Sequence, residues 1–292
     1  MSFEGFYINL KSCSDRRNSI NNNLEKLGLT KYISRFDAYE TKNSDNWMVC
    51  KSKGEYGLWI SILNCLKEIE SKNYKGKYIL IMEDDFCFNN NSLERLGNLK
   101  HILENEEKNI DILFLDYLIN IPFFRCICLE KEKKNLEKDS SKEIFYDSKY
   151  FYYACTSCFL IKKLSAPKIF EILKIYFKKG QKSKHLIPID MALREIIKSN
   201  LLNSKLVVPP LGTSDWIQDQ SSLIQTGSNN SIRRAQRAYL LIRCAASNNY
   251  SINFCVKEFS KLIDEDLDLE KYKTLNDFYK IFKEKSFKFA NF

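Results

Sequence analysis

Apolar positions along this chain fall into short runs that alternate between two periods. "GFYINL" (residues 5–10) is aromatic and β-branched and predicts a first strand. Ser14 or Asp15 then stands where a helix over about residues 16–27 needs a cap, and Gly28 where that helix ends. "KYISRFDAYE" (31–40) predicts a second strand and "TKNSDNWMVCKSK" a polar loop. In "GEYGLWISILNCLKEIESKNY", Leu58, Ile62, Cys65, Leu66 and Ile69 recur at steps of three and four, which predicts a helix with one apolar face. Residues 78–82, 111–119, 150–161 and "SKLVVPPL" (204–211) predict further strands, the first of them short, apolar and fully buried. Residues 165–177 and 188–199 predict helices, the second with Pro and Asp in its first turn. Lys131 to Lys149 is densely charged and predicts a loop. Alternation of strand and helix up to about residue 210 indicates an α/β fold with a largely parallel sheet. Beyond residue 231, "SIRRAQRAYLLIRCAA" and the lysine-rich stretch after it contain neither Pro nor Gly and predict helices. The expected division is therefore a domain over 1–230 and a C-terminal helical extension over 231–292.

Composition narrows this picture only modestly. With 292 residues, 44% hydrophobic, the chain has ample material for a core and is not expected to be disordered. Its net charge of +9 points to anionic partners, but the lysines are spread along the chain, so charge alone selects none. No basic, apolar, small-residue order marks a secretory leader, and no apolar run approaches the roughly 20 residues of a membrane span. A cytoplasmic protein is expected, or one peripheral on the inner face of a membrane. The ten cysteines are then expected to be reduced. Cys126, Cys128, Cys155 and Cys158 have spacings that could hold zinc, but "FYYACTSCFLI" alternates like a buried strand, so small core residues are the plainer reading.

The chemically suggestive stretch is "YILIMEDDF" (78–86), where a buried strand runs straight into Glu83, Asp84 and Asp85. Adjacent carboxylates are costly unless they face solvent, meet cations or hold a metal. In open α/β sheets ligands bind beyond the carboxyl ends of strands, which is where these three stand. A hard divalent cation takes oxygen ligands and can bridge them to a diphosphate. An acidic triplet alone is a weak motif, and an acidic turn is the plainer alternative.

The order of segments resembles glycosyltransferase family 25, the lipooligosaccharide β-1,4-galactosyltransferase family. The resemblance is carried by "FYINLKSCSDRRNSINNNLEKLGL", "RFDAYE", "GEYGLWISILNCLKEI", "YILIMEDDF", "YFYYACTSCFLIKKLSAPKIFEIL", "IPIDMAL" and "LVVPPLGTSDWIQDQSSLI", in that order over about residues 3–226. One departure stands out: the family usually has a Ser-His pair where this chain has Ser61 and Ile62. The resemblance implies a GT-A-type, Rossmann-like nucleotide-sugar fold. It further implies Mn²⁺ or Mg²⁺ at the acidic triplet and inverting transfer of a hexose, galactose favoured, from a UDP-sugar to a glycan or glycolipid acceptor such as lipooligosaccharide.

On that reading Asp85 is the expected metal ligand. Asp84 either joins it or contacts the ribose or sugar of the donor, and Glu83 braces the other two. Asp190, at a helix start, is the expected general base, where the helix dipole would lower its pKa, and Asp116 is the second choice. Arg16 or Arg17 could grip a diphosphate. Asn9 and Asp37 stand at strand ends where a uridine or ribose would lie. Glu55, beside Gly57, could bind a sugar hydroxyl or simply complement its helix dipole. Asp215, Asp219, Gln220 and Ser221 could close over the donor, or form a plain loop. His101 and His185 have no partner motif, which gives little support to a nucleophilic triad. Arg233, Arg234, Arg237 and Arg243 lie on an amphipathic helix that could meet an anionic membrane or pack with a solvated basic face.

Two other classes remain. A transferase fold without catalysis, kept as a binding module, is conceivable given Ile62. A basic nucleic-acid-binding protein lacks any helix-turn-helix, zinc-finger or ribonucleoprotein signature, so no nucleic-acid partner is expected.

Overall fold

The apolar runs meet in one seven-stranded sheet. The computed structural model describes residues 3–89, 91–105, 109–119, 144–215, 230–247, 252–264, 267–270 and 275–276. The sheet contains β1 (Gly5–Asn9), β2 (Ile33–Asp37), β3 (Tyr78–Glu83), β5 (Ile112–Phe114), β7 (Ile144–Asp147), β9 (Cys158–Lys162) and β10 (Ser204–Val208), in the order β2-β1-β3-β9-β5-β10-β7. Five of these strands run one way. β9, in the middle, and β7, at the edge, run against them. Short strands β4 (Phe86–Phe88) and β11 (Gly212–Ser214) pair with each other, as do β6 (Leu118–Ile119) and β8 (Tyr152–Ala154). The mixed α/β architecture with a mostly parallel sheet agrees with the alternating pattern.

Side chains of a strand alternate between faces, and β3 shows it. Ile79 and Ile81 enter one core, while Tyr78, Leu80 and Met82 enter the other. The second core receives Ile20 and Leu24 of α1 (Ser14–Lys26) and Leu96, Leu99 and Leu103 of α3 (Ser92–Asn105). The first receives α2 (Lys53–Ser71), whose Trp59, Ile62, Cys65, Leu66 and Ile69 are almost wholly buried. Each such large apolar side chain contributes roughly 1.5–3 kcal/mol on burial. Trp59 also satisfies its indole N–H, which donates to the Ile187 carbonyl at 2.9 Å. A four-residue helix α4 (Ser148–Phe151) follows β7, and α5 (Ala166–Ser183) and α6 (Ile189–Lys198) pack on the same face as α2.

Several expectations are corrected. Neither Ser14 nor Asp15 caps α1: Cys13 is the residue before its first turn, and no side chain there makes a capping bond. Gly28 does end it, at φ +65°. Within the run 131–149, residues 144–147 form β7 and pair antiparallel with β10. Residues 131–143 lie outside the described residues, as do Cys126 and Cys128. The runs 111–119 and 150–161 each split in two. Cys158 carbonyl accepts both Leu115 N–H, at 3.0 Å, and Asp116 N–H, at 3.1 Å, which ends regular pairing there. Cys155 breaks the other run by adopting a left-handed φ of 85°.

The C-terminal segment forms α7 (Asn230–Ser247) and α8 (Ile252–Asp264). Their apolar faces join the first core, α7 through Ala238, Leu241 and Ile242 and α8 through Phe259 and Leu262. Arg243 of α7 does not meet a surface as a basic amphipathic helix would require. Its guanidinium enters the protein and pairs with Asp116, which is 0% exposed. Nε donates to Asp116 Oδ1 at 3.2 Å and Nη2 to Oδ2, while Ser157 hydroxyl donates to the same Oδ2. Arg243 also reaches the hydroxyls of Ser157, at 3.2 Å, and Ser214, at 3.3 Å. Arg234 and Arg237 are half-buried.

Breaking a buried ion pair leaves one charge uncompensated, whereas replacing both partners by apolar groups is often neutral. Arg243→Met is therefore expected to cost about 3–5 kcal/mol of unfolding free energy, and Arg243→Met/Asp116→Leu to recover most of it. Urea denaturation followed by circular dichroism checks this. A double variant as unstable as the single one contradicts the assignment.

Candidate functional site

Because β1, β2, β3, β5 and β10 are co-directional, their carboxyl ends share one edge of the sheet. Antiparallel β9 brings the residues before its start, Thr156 and Ser157, to the same edge, where Met82 is in register with Cys158. The acidic triplet thus emerges beside Asn9, which ends β1, and Asp116, just beyond β5. Tertiary topology is what assembles these groups.

Asp84 is 7% exposed and both its oxygens are engaged. Asn9 Nδ2 donates to Oδ2 at 2.6 Å and Arg16 Nη1 to Oδ1 at 2.8 Å. Arg16 Nη2 reaches Asp85 Oδ2 at 3.4 Å. Asn9 is itself oriented by Arg35, whose Nε donates to Asn9 Oδ1 at 2.9 Å. Burial, then Asp85, push the Asp84 carboxyl above its ordinary value, and Arg16 and Asn9 pull it back. Glu83 is pushed up to about 8, by burial first and then by Asp85 and Asp84. Glu83 does not brace its neighbours: its Oε1 accepts from Thr156 hydroxyl at 3.2 Å. Bracing falls to Asn9 and Arg16.

Two adjoining clefts meet at Glu83, Asp85 and Leu58. One, of about 320 Å³, has walls from Leu10, Arg16, Tyr39, Thr41, Gly57 and Ser61. Gly57 is required there because a Cβ would stand 2.8 Å from the Tyr39 carbonyl oxygen and 3.1 Å from Thr41 Oγ1. Ser61 ties the same wall together, donating to Gly57 carbonyl at 2.7 Å and accepting Tyr39 N–H at 2.8 Å. Ile62, which stands where the resembled family has a histidine, is 2% exposed and faces the core. Ile62 lines neither cleft.

The other cleft, of about 370 Å³, holds Asp190 opposite residues of α7. Asp190 Oδ1 accepts Met191 N–H at 2.7 Å, and Oδ2 accepts Cys155 N–H at 3.2 Å. The left-handed backbone of Cys155 accompanies that second bond. Despite the helix N-terminus and these donors, burial raises the Asp190 carboxyl above its ordinary 3.8. The downward shift expected from the dipole is thus reversed, because desolvation disfavours the anion more than the dipole favours it.

The remaining expected residues separate. Glu55 lines the second cleft and also accepts Lys51 N–H at 3.1 Å, while Ser52 hydroxyl accepts Glu55 N–H at 3.2 Å, a capping arrangement at the start of α2. Asp37 is solvent-exposed, pairs with Arg35 and lines neither cleft. Arg17 lines neither cleft. Asp116 is 0% exposed, lines neither cleft and pairs through both oxygens with Arg243. Asp215 N–H donates to Asp85 carbonyl at 2.8 Å, which ties β11 to the triplet. Asp219, Gln220 and Ser221 lie outside the described residues. His101 and His185 are exposed and line neither cleft. Linear reading did not single out Thr156, Ser157, Gln236 or Tyr239. The hydroxyls sat inside an apparent strand, and the α7 residues lay some 150 positions from the triplet.

For a divalent cation, one observation bears on fit. Asp85 Oδ1 is buried and has no hydrogen-bond partner. It is a carboxylate oxygen of the kind a hard cation takes, whereas each oxygen of Asp84 already accepts a hydrogen bond. Among the described residues, no three His, Cys, Asp or Glu side chains converge as an ion cage. Any cation held here would complete its shell with oxygens of water or of a bound ligand. No helix among the described residues is long and apolar enough to cross a membrane.

No curated protein matches the chain at a significant level. A family model described as glycosyltransferase family 25, LPS biosynthesis protein, matches residues 3–193. That span includes the acidic triplet with Asn9 and Arg16 and both carboxylates considered as bases, but not Arg243, the partner of Asp116. The chain belongs to glycosyltransferase family 25, and is thereby a glycosyltransferase of lipopolysaccharide biosynthesis type.

Proposed function

We propose that this chain is an inverting, metal-assisted glycosyltransferase of GT-A type that moves a hexose, galactose favoured, from a UDP-sugar to a hydroxyl of a glycan such as lipooligosaccharide. The observation that carries the proposal is the pair of clefts joined at Asp85, one walled by Arg16 and the Gly57 turn, the other by Asp190. Two substrates that must react with each other need two adjoining sites with a shared reacting point.

In this reading the donor occupies the cleft of Arg16, Gly57 and Ser61, and the acceptor that of Asp190. Asp85 Oδ1 would hold Mn²⁺ or Mg²⁺, which when bound neutralises the diphosphate. Asp84 orients Arg16 toward the same phosphates. Asp190 takes the proton from the acceptor hydroxyl. That oxygen bonds to the anomeric carbon from the face opposite the UDP, and the C1–O bond breaks with its electron pair leaving on UDP. Burial suits Asp190 to this role, since a carboxylate held above its ordinary pKa is a stronger base.

The test is UDP release from UDP-galactose, UDP-glucose and their N-acetylamino counterparts, with Mn²⁺ or EDTA. Release from one donor is expected to require Mn²⁺ and to vanish in Asp85→Ala. Failure to release or bind UDP from any donor, with the fold intact by circular dichroism, overturns the proposal. UDP binding without turnover would favour a binding module instead. Asp190→Asn is expected to retain UDP affinity and lose about 10²–10⁴-fold in transfer rate. Because Asp190 must be ionised to act, kcat/KM should rise with pH through an acid limb centred above 3.8. A profile flat down to that value would reject Asp190 as the base.

A further inference from the structure

The family match ends at residue 193, yet the acceptor-side cleft is closed by a helix that begins at residue 230. Gln236, Tyr239, Leu240 and Arg243, one face of α7, form its wall opposite Pro188, Asp190 and Met191. Two features of this wall stand out. Gln236 Oε1 is buried without a hydrogen-bond partner, and an amide oxygen left so is costly unless a ligand supplies a donor. In addition, α7 is fastened in place by the Arg243–Asp116 pair, to which Ser157 and Ser214 contribute hydroxyls. A wall held by a buried ion pair is a preorganised surface.

The charge of the cleft narrows what it can take. Its carboxylates are Glu55, Glu83, Asp85 and Asp190, and its cations are Lys51 and Arg243. Arg243 is already committed to Asp116, Asp85 is paired with Arg16 and Glu83 accepts from Thr156, so among the described residues Glu55 and Asp190 are left facing Lys51. An anionic sugar or a phosphate would be repelled, whereas hydroxyl groups find acceptors on several sides.

We propose that α7 is the acceptor-recognition wall of the transferase, with Gln236 Oε1 accepting a hydroxyl of an uncharged terminal sugar and Tyr239 packing beside it. This rests on the transferase reading above and adds the selecting residues and the charge class of the acceptor. Gln236 touches the acceptor and takes no part in bond making.

The experiment measures binding by the full chain, with UDP and Mn²⁺ present, of p-nitrophenyl β-galactoside, β-glucoside, β-N-acetylglucosaminide, lactoside and β-glucuronide. At least one neutral glycoside is expected to bind, and the glucuronide at least tenfold more weakly. Gln236→Ala and Gln236→Leu are expected to weaken the neutral glycoside about tenfold, the size of one well-formed hydrogen bond. UDP affinity within twofold of wild type, in the neighbouring cleft, reports an intact fold. The proposal is overturned if UDP binds but no neutral glycoside does, if both Gln236 variants bind the glycoside as wild type does, or if the glucuronide binds better. A wild-type chain that binds no UDP at all overturns instead the transferase reading on which this one stands.

Discussion

Three consecutive carboxylates at the mouth of a buried strand repel one another and resist desolvation, and much of the site is organised around that constraint. Arg16 reaches two of them, and Asn9 holds the second oxygen of Asp84. Arg35 in turn orients Asn9. Thr156 donates to Glu83 from the other side. Burial and mutual repulsion still leave Glu83 raised, so the triplet has an unmet demand for positive charge. Asp85, with a buried oxygen and no donor on it, is where that demand is concentrated. A cation and a diphosphate arriving together would meet it, which links the electrostatics of the resting protein to the chemistry proposed for it.

A second buried charge plays a different part. Asp116 would be a carboxylate alone in the core beyond β5 were it not for Arg243, which comes from a helix 127 positions later. This pair sets where α7 lies, and α7 supplies one wall of the cleft that contains Asp190. The segment after β5 and α7 are thus coupled through an interaction that a change on either side would strand. Of the α7 arginines whose side chains are described, Arg243 turns inward and Arg234 and Arg237 are half-buried.

Close backbone approach shapes the cleft of Arg16 and Ser61 as much as charge does. Gly57 lets α2 come against the Tyr39 to Thr41 segment, and Ser61 bonds to both sides of that contact. Ile62, next in sequence, points into the core on the other flank of the helix. Adjacent residues on a helix face about 100° apart, so a cleft residue and a core residue can be neighbours in sequence without sharing a role.

Local order was legible in the residues alone. Strand and helix periods located most elements, because a buried strand and an amphipathic helix impose periods of 2 and 3.6 on apolar positions whatever lies around them. The acidic triplet after β3 was legible for the same reason, since three charges following a buried apolar run have few plain explanations. What could not be read there is everything decided by distance in space. That β9 runs backwards and carries Thr156 and Ser157 to the carboxyl edge depends on which strands pair. So does the pairing of Asp116, which stands at a strand end, with Arg243 of α7. Pattern along the chain records which face a residue turns toward the core, whereas ion pairs and cleft walls between residues more than a hundred positions apart arise only when packing brings them together.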